Sequence, residues 1–137
     1  MGLDHYHIHV RNALVKDGWT ITDDPLTLQL DERSLHIDFG AERLLAAERG
    51  TVKIAVEIKA FRSPSPIADL EQAIGQYGLY EDVLQIMDPE RMLYLAIPQE
   101  AFAEIFSEPI GQLALQRRIK RVFTFVSNRE EIVQWIP

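Results

Sequence analysis

The 137-residue chain contains no cysteine. That single absence removes disulfides, zinc ribbons, iron–sulfur clusters and thiol catalysis together. No uncharged apolar run approaches the roughly 18 residues that a membrane span needs. The opening MGLDHYHIHV has charge and histidine where a signal peptide needs an apolar core, and Tyr6 stands where N-myristoylation wants Ser or Thr. A cytoplasmic protein without a membrane association is expected. No Gly-rich phosphate-cradling loop is present, and no serine has the His and Asp company of a nucleophilic triad. Positive charge is also in short supply. With 14 Lys+Arg against 21 Asp+Glu the net charge is −7, which disfavours tight, non-specific coating of nucleic acid, because such binding runs on neutralised phosphates.

What is there describes an ordinary globular chain, 47% hydrophobic and 26% charged. The length suits one domain spanning 1–137, able to bury roughly 68–70% of its unfolded surface. Cations gather in two places. Arg117, Arg118, Lys120 and Arg121 put four into five residues, and Lys53, Lys59 and Arg62 form a thinner group. Either is a local patch for a partner or a solvated face.

The pattern predicts a helix over Leu3–Lys16, stopped by Asp17-Gly18. Trp19–Thr22 is aromatic and β-branched, and Asp23-Asp24-Pro25 turns the chain. Leu26–Leu30 alternates at period two as a strand, closed by a hairpin-like loop over 31–34. A long strand is expected over Leu35–Ala47, with Gly40 marking a bulge or bend. A tight turn over Glu48–Thr51 leads into a strictly alternating strand, Val52–Phe61. Ser63-Pro64-Ser65-Pro66 is the strongest punctuation, with Ser65 as N-cap and Pro66 at the first position of a helix reaching Met87. Its apolar stripe is Ile67, Leu70, Ile74, Tyr77 and Leu84. Strands at Met92–Ile97, Val122–Val126 and Ile132–Ile136 and helices at Glu100–Phe106 and Ile110–Arg118 complete the chain. The expected fold is α/β (α+β), a single mixed sheet flanked by helices.

The most informative residues are two acids and a lysine. Asp38 sits between Ile37 and Phe39, and Glu57 and Lys59 flank Ile58 on the next strand. Period-two geometry puts Glu57 and Lys59 on one face, roughly 6.6 Å apart. If the two strands form a hairpin, Asp38 reaches that face from its partner. Two carboxylates meeting there suit one hard divalent cation, Mg²⁺ or Mn²⁺, which takes oxygen ligands. The lysine beside them is placed to orient a water or meet charge growing on a phosphate. A Glu-x-Lys pair on a solvated strand face also arises with no function at all.

The arrangement D-x(18)-E-x-K across a hairpin resembles the core of the PD-(D/E)XK nuclease superfamily. The following helix carries Gln76 and Tyr80, a Q-x-x-x-Y motif like that of the RecB-like branch, and Gln72, Gln76 and Tyr80 form one polar stripe. By that resemblance the core is restriction-endonuclease-like, Asp38 and Glu57 hold the metal, Lys59 is catalytic, and Gln76 and Tyr80 support the site. The proline that often precedes the superfamily's first acid is replaced by Ile37.

The stretches NALVKDGWTITDDPL (12–26), IDFGAERLLAAERG (37–50), KIAVEIKAF (53–61), AIGQYGLY (73–80) and RMLYLAIP (91–98), with the ending IVQWIP, resemble the XisH family across essentially the whole chain. That family is named for a cyanobacterial factor controlling excision of the fdxN element. The resemblance implies a role in site-specific DNA rearrangement during differentiation, an XisI-like partner, and a recombinase that performs the recombination itself. It leaves open whether this chain cuts DNA or only assists as a non-catalytic accessory. A two-fold homodimer is expected, since a small nuclease fold needs a second copy to address both strands of a duplex.

Lesser candidates are His5, His7 and His9 as metal ligands, His7 approaching the acids from the first helix, His36 on the strand face of Asp38, and Glu42 as a third acid two pleats beyond it. For each histidine a solvated role is the simpler alternative.

Overall fold

The computed structural model describes residues 5–45 and 50–137. Helix α1 (His7–Lys16) is followed by five strands, β1 (Thr20–Asp23), β2 (Leu26–Leu30), β3 (Arg33–Ile37), β4 (Phe39–Leu45) and β5 (Gly50–Ile58). Then come α2 (Pro66–Met87), β6 (Arg91–Pro98), α3 (Gln99–Ile105), α4 (Pro109–Arg117), β7 (Val122–Val126) and β8 (Glu131–Ile136). Six strands form one mixed sheet in the order β1-β4-β5-β6-β7-β8, with β5, β6 and β7 parallel and the remaining pairs antiparallel.

Four sequence expectations need correcting. The single strand over Leu35–Ala47 is two strands broken at Asp38, its last two residues lying outside the described ones. The sheet is accordingly not single, because β3 pairs with β2 in a separate two-stranded ribbon. Period-two patterning runs through such a break without a mark: Leu35, Ile37, Phe39 and Ala41 keep alternating while the chain passes from one sheet to the other. Of the turn expected over Glu48–Thr51, Glu48 and Arg49 lie outside the described residues, while Gly50 and Thr51 already belong to β5. Gly40 does sit at an irregularity, but the shift lies on β1 between Ile21 and Asp23. A Cβ on Gly40 would come within 2.7 Å of the Asp23 carboxylate and 2.8 Å of the Arg91 guanidinium.

Both faces of the sheet are covered. On one, Ala55, Leu93, Leu95, Ile97 and Val122 meet α2, α3, α4 and the β2–β3 ribbon. On the other, Ile54, Val56, Ile58, Ala96, Phe123 and Phe125 meet Val10 and Leu14 of α1. Helix α2 starts as its punctuation dictates, with the Ser65 hydroxyl accepting from the Ala68 N–H at 3.2 Å and Pro66 at the first position. It is fixed to the sheet through Tyr77, fully buried, whose hydroxyl donates to the Leu93 carbonyl at 3.0 Å. No helix among the described residues is long and apolar enough to cross a membrane.

Candidate functional site

The β4–β5 register pairs Phe39 with Val56, so Asp38 and Glu57 are the next residues opposite each other along the ladder. Cross-strand residues share a face. Alternation puts Glu57 with Ala55 on the α2 side, away from Val56 and Ile58. Each acid grips the other strand's backbone. Glu57 Oε1 accepts from the Asp38 N–H at 3.2 Å, and Asp38 Oδ2 accepts from the Ile58 N–H at 2.8 Å. The exchange sits at the break between β3 and β4, where the Asp38 N–H donates to a side chain.

The electrostatic consequence falls on Glu57. Burial, and then the neighbouring Asp38 charge, push its carboxyl up from an ordinary 4.5 to about 8, against the opposing pull of Lys59. Lys59 follows the last residue of β5, and its N–H still bonds the Ala96 carbonyl of β6 at 2.9 Å. Its ammonium is held over α2 by two amide oxygens, Gln72 Oε1 at 2.8 Å and Gln76 Oε1 at 2.9 Å. One turn further along α2, Tyr80 is held above the usual phenol range by burial and by the charges of Glu57 and Asp38.

The five residues singled out in the sequence, Asp38, Glu57, Lys59, Gln76 and Tyr80, thus lie at one corner, at the carboxyl end of β5 beneath α2. Gln72 belongs with them. Its place one turn before Gln76 on the polar stripe of α2 is the signal that brings it there. Past the corner the chain turns sharply at Phe61, whose φ of 54° lies in the left-handed region. Its ring packs edge-on against Phe106, centroids 5.7 Å apart.

The lesser candidates fall elsewhere. His7 Nε2 lies 2.7 Å from Asp24 Oδ1, and its ring rests on Phe39, on the α1 face of the sheet and so opposite the acids. His9 bonds Glu130 at 2.9 Å, and the His5 ring stands edge-on to Tyr6. His36 is on β3, outside the central sheet, and contacts Thr27 at 3.0 Å. Glu42 is opposite Lys53, well up the ladder from Asp38. Among the described residues no cluster of three or more His, Asp or Glu side chains is arranged to hold a metal ion. The two facing carboxylates are the oxygen donors at the corner, a set that suits a hard divalent cation keeping most of its waters.

Comparison with known proteins places the whole chain. The family model described as XisH protein matches residues 2–133. Two solved structures are similar over nearly all of their length and of this chain. An XisH family protein from Nostoc punctiforme is 35% identical, with a TM-score of 0.85, 98% of this chain and 100% of that chain covered. An fdxN element excision controlling factor protein from Anabaena variabilis is 34% identical, with a TM-score of 0.84 and coverage of 96% and 98%. No curated protein matches the chain. A family model spanning nearly every residue, together with two such neighbours, makes this chain a member of the XisH family.

Proposed function

We propose that the chain is a controlling factor for excision of a DNA element, and that its Asp38–Glu57–Lys59 corner is a divalent-cation site that acts on a phosphodiester within a restriction-endonuclease-like core. The observation that carries this reading is the cross-strand meeting of two half-buried carboxylates, one of them pushed up to about 8. Such a pair is costly by itself, and functional sites are where such costs concentrate. Asp38 and Glu57 would hold Mg²⁺ or Mn²⁺; when bound, the ion would supply neutralisation of the phosphate charge. The chain's own contribution is positional. Lys59 is held at the same corner by Gln72 and Gln76, where its ammonium meets the negative charge of a phosphate. Tyr80 stands on the α2 side of the corner, within reach of the charges of both acids. A two-fold dimer would present two such corners to a duplex, and an XisI-like protein and a recombinase are the proposed company.

One observation favours a second reading, a non-catalytic accessory built on the same fold. The two carboxylates accept backbone N–H groups, and the lysine is bonded to two glutamines, which is also how a purely structural clasp at a strand end would be made. The net charge of −7 suits a protein contact better than a DNA one.

The test is incubation of the pure protein with linear, nicked and branched DNA and Mg²⁺ or Mn²⁺, alone and with an XisI-like partner. Metal-dependent cleavage that disappears in folded Glu57→Gln supports the first reading. Folded Glu57→Gln and Lys59→Ala variants that sustain excision in the host as the wild type does would leave the accessory reading.

A further inference from the structure

The corner at β5 leaves unused a second feature of the molecule, an open groove between α2 and α4. It has a volume of about 490 Å³ and is lined by Ile74, Ile110, Leu113, Ala114, Arg117 and Arg118. Helix α4 is seated on the core by Gly111 and Ala114. A Cβ on Gly111 would fall 2.2 Å from the Ile105 carbonyl oxygen, so only glycine permits so close an approach. That seating turns the edge carrying Ile110 and Leu113 outward, where the two side chains stand 47% and 51% exposed. Ile67, two turns before Ile74 on α2, is 43% exposed and extends the same apolar strip. The sequence places Ile67 and Ile74 on the core-facing stripe of α2, and it is this pair that the fold leaves at the surface or only half-covered.

The charge at the end of the groove is as specific as its floor. Lys120 and Arg121 are drawn toward Glu81, at 3.5 and 4.0 Å. Arg117 and Arg118, both exposed, make no ion pair among the described residues, although the chain has 21 acidic residues to offer. An aliphatic trough closed by two guanidinium groups has the shape and charge for an amphipathic helix that carries carboxylates beside its apolar stripe.

We propose that this groove docks an acidic amphipathic helix of another protein, whose aliphatic side chains at i, i+3 or i+4 and i+7 lie between α2 and α4 and whose carboxylates meet Arg117 and Arg118. A second copy of this chain is a poor occupant. In a two-fold contact the same patch meets itself, and the groove lining holds no carboxylate to meet Arg117 and Arg118. Nucleic acid is a poor occupant too, since four aliphatic side chains offer nothing to a phosphate backbone. The inference goes beyond the proposed catalytic corner and does not depend on it.

A displayed library of helical peptides, selected against the full chain, tests this directly. Peptides enriched on the wild type should combine the aliphatic spacing with Asp or Glu beside it. Their affinity should fall roughly tenfold or more on Leu113→Ser, a change at an exposed position whose fold is checked by circular dichroism. Selection against Arg117→Glu/Arg118→Glu should instead enrich basic peptides of the same apolar spacing. Enrichment that ignores Leu113, or that shows no change of charge preference between the two selections, would overturn the proposal. So would a wild-type dimer that Leu113→Ser converts to monomer, which gives the groove to a second copy. DNA binding lost in the double arginine variant but kept in Leu113→Ser would give it to nucleic acid.

Discussion

At the scale of single residues, the acid pair is where the molecule works against itself. Glu57 is held near 8 by burial and by Asp38, so in the metal-free protein its charge is opposed throughout the neutral range. The sign follows from linkage. Below its ordinary 4.5 the group is protonated in the folded and unfolded chains alike and contributes nothing. Between 4.5 and about 8 the folded chain holds the proton and the unfolded chain has released it, so stability falls as pH rises through that window. In chelator, the wild type should therefore lose melting temperature between these limits faster than Glu57→Gln does. Parallel curves would show that Glu57 carries no such penalty. Lys59 acts differently. It is a cation and no ligand, so Lys59→Ala should leave divalent-ion affinity within about threefold of wild type while abolishing or strongly slowing any cleavage. A variant that loses the ion would move Lys59 from the chemistry to the architecture of the site.

At the scale of elements, the corner exists because two strands, one break and one helix agree. The alternation of Val52–Phe61 and the register of β4 with β5 set Asp38 opposite Glu57. The Ser65–Pro66 start brings α2 over them, and the Tyr77 hydroxyl fixes its height at Leu93. Removing that hydroxyl in Tyr77→Phe leaves a buried carbonyl without its donor and should cost about 1–2 kcal/mol by urea denaturation. A neutral result would mean that the bond does not hold α2. Gly111→Ala places a methyl group against the Ile105 carbonyl and should destabilise by about 1–3 kcal/mol, as overpacking does. Much of this was legible beforehand. The bounds of α2, β2 and β7 follow from capping residues, prolines and alternation; period two places Glu57 and Lys59 on one face, and the expected hairpin brings Asp38 to it. The break at Asp38 was not legible, because alternation persists through it and what changes is the sheet that each half joins. Nor could the sequence place His7. Helical spacing says which residues share a side of α1, but which face of the sheet that helix covers is decided by packing against Phe39, Phe123 and Phe125.

At the scale of the whole molecule, the two faces of the sheet divide the work. Helix α1 covers one side alone, while α2, α3, α4 and the β2–β3 ribbon build the side that holds both the acid corner and the groove. With a net charge of −7, any contact with a duplex rests on local features, and its strength should fall steeply with added salt only in proportion to the few phosphates neutralised. A two-fold dimer should appear by light scattering at micromolar concentration; a monomeric mass there would contradict it. The central claim is narrower, that Asp38 and Glu57 together bind a divalent cation. Calorimetric titration of Mn²⁺ into the wild type and Glu57→Gln tests it most directly. The account requires one site per chain in the wild type, lost in the folded variant; equal binding by the two, or none by either, would contradict it.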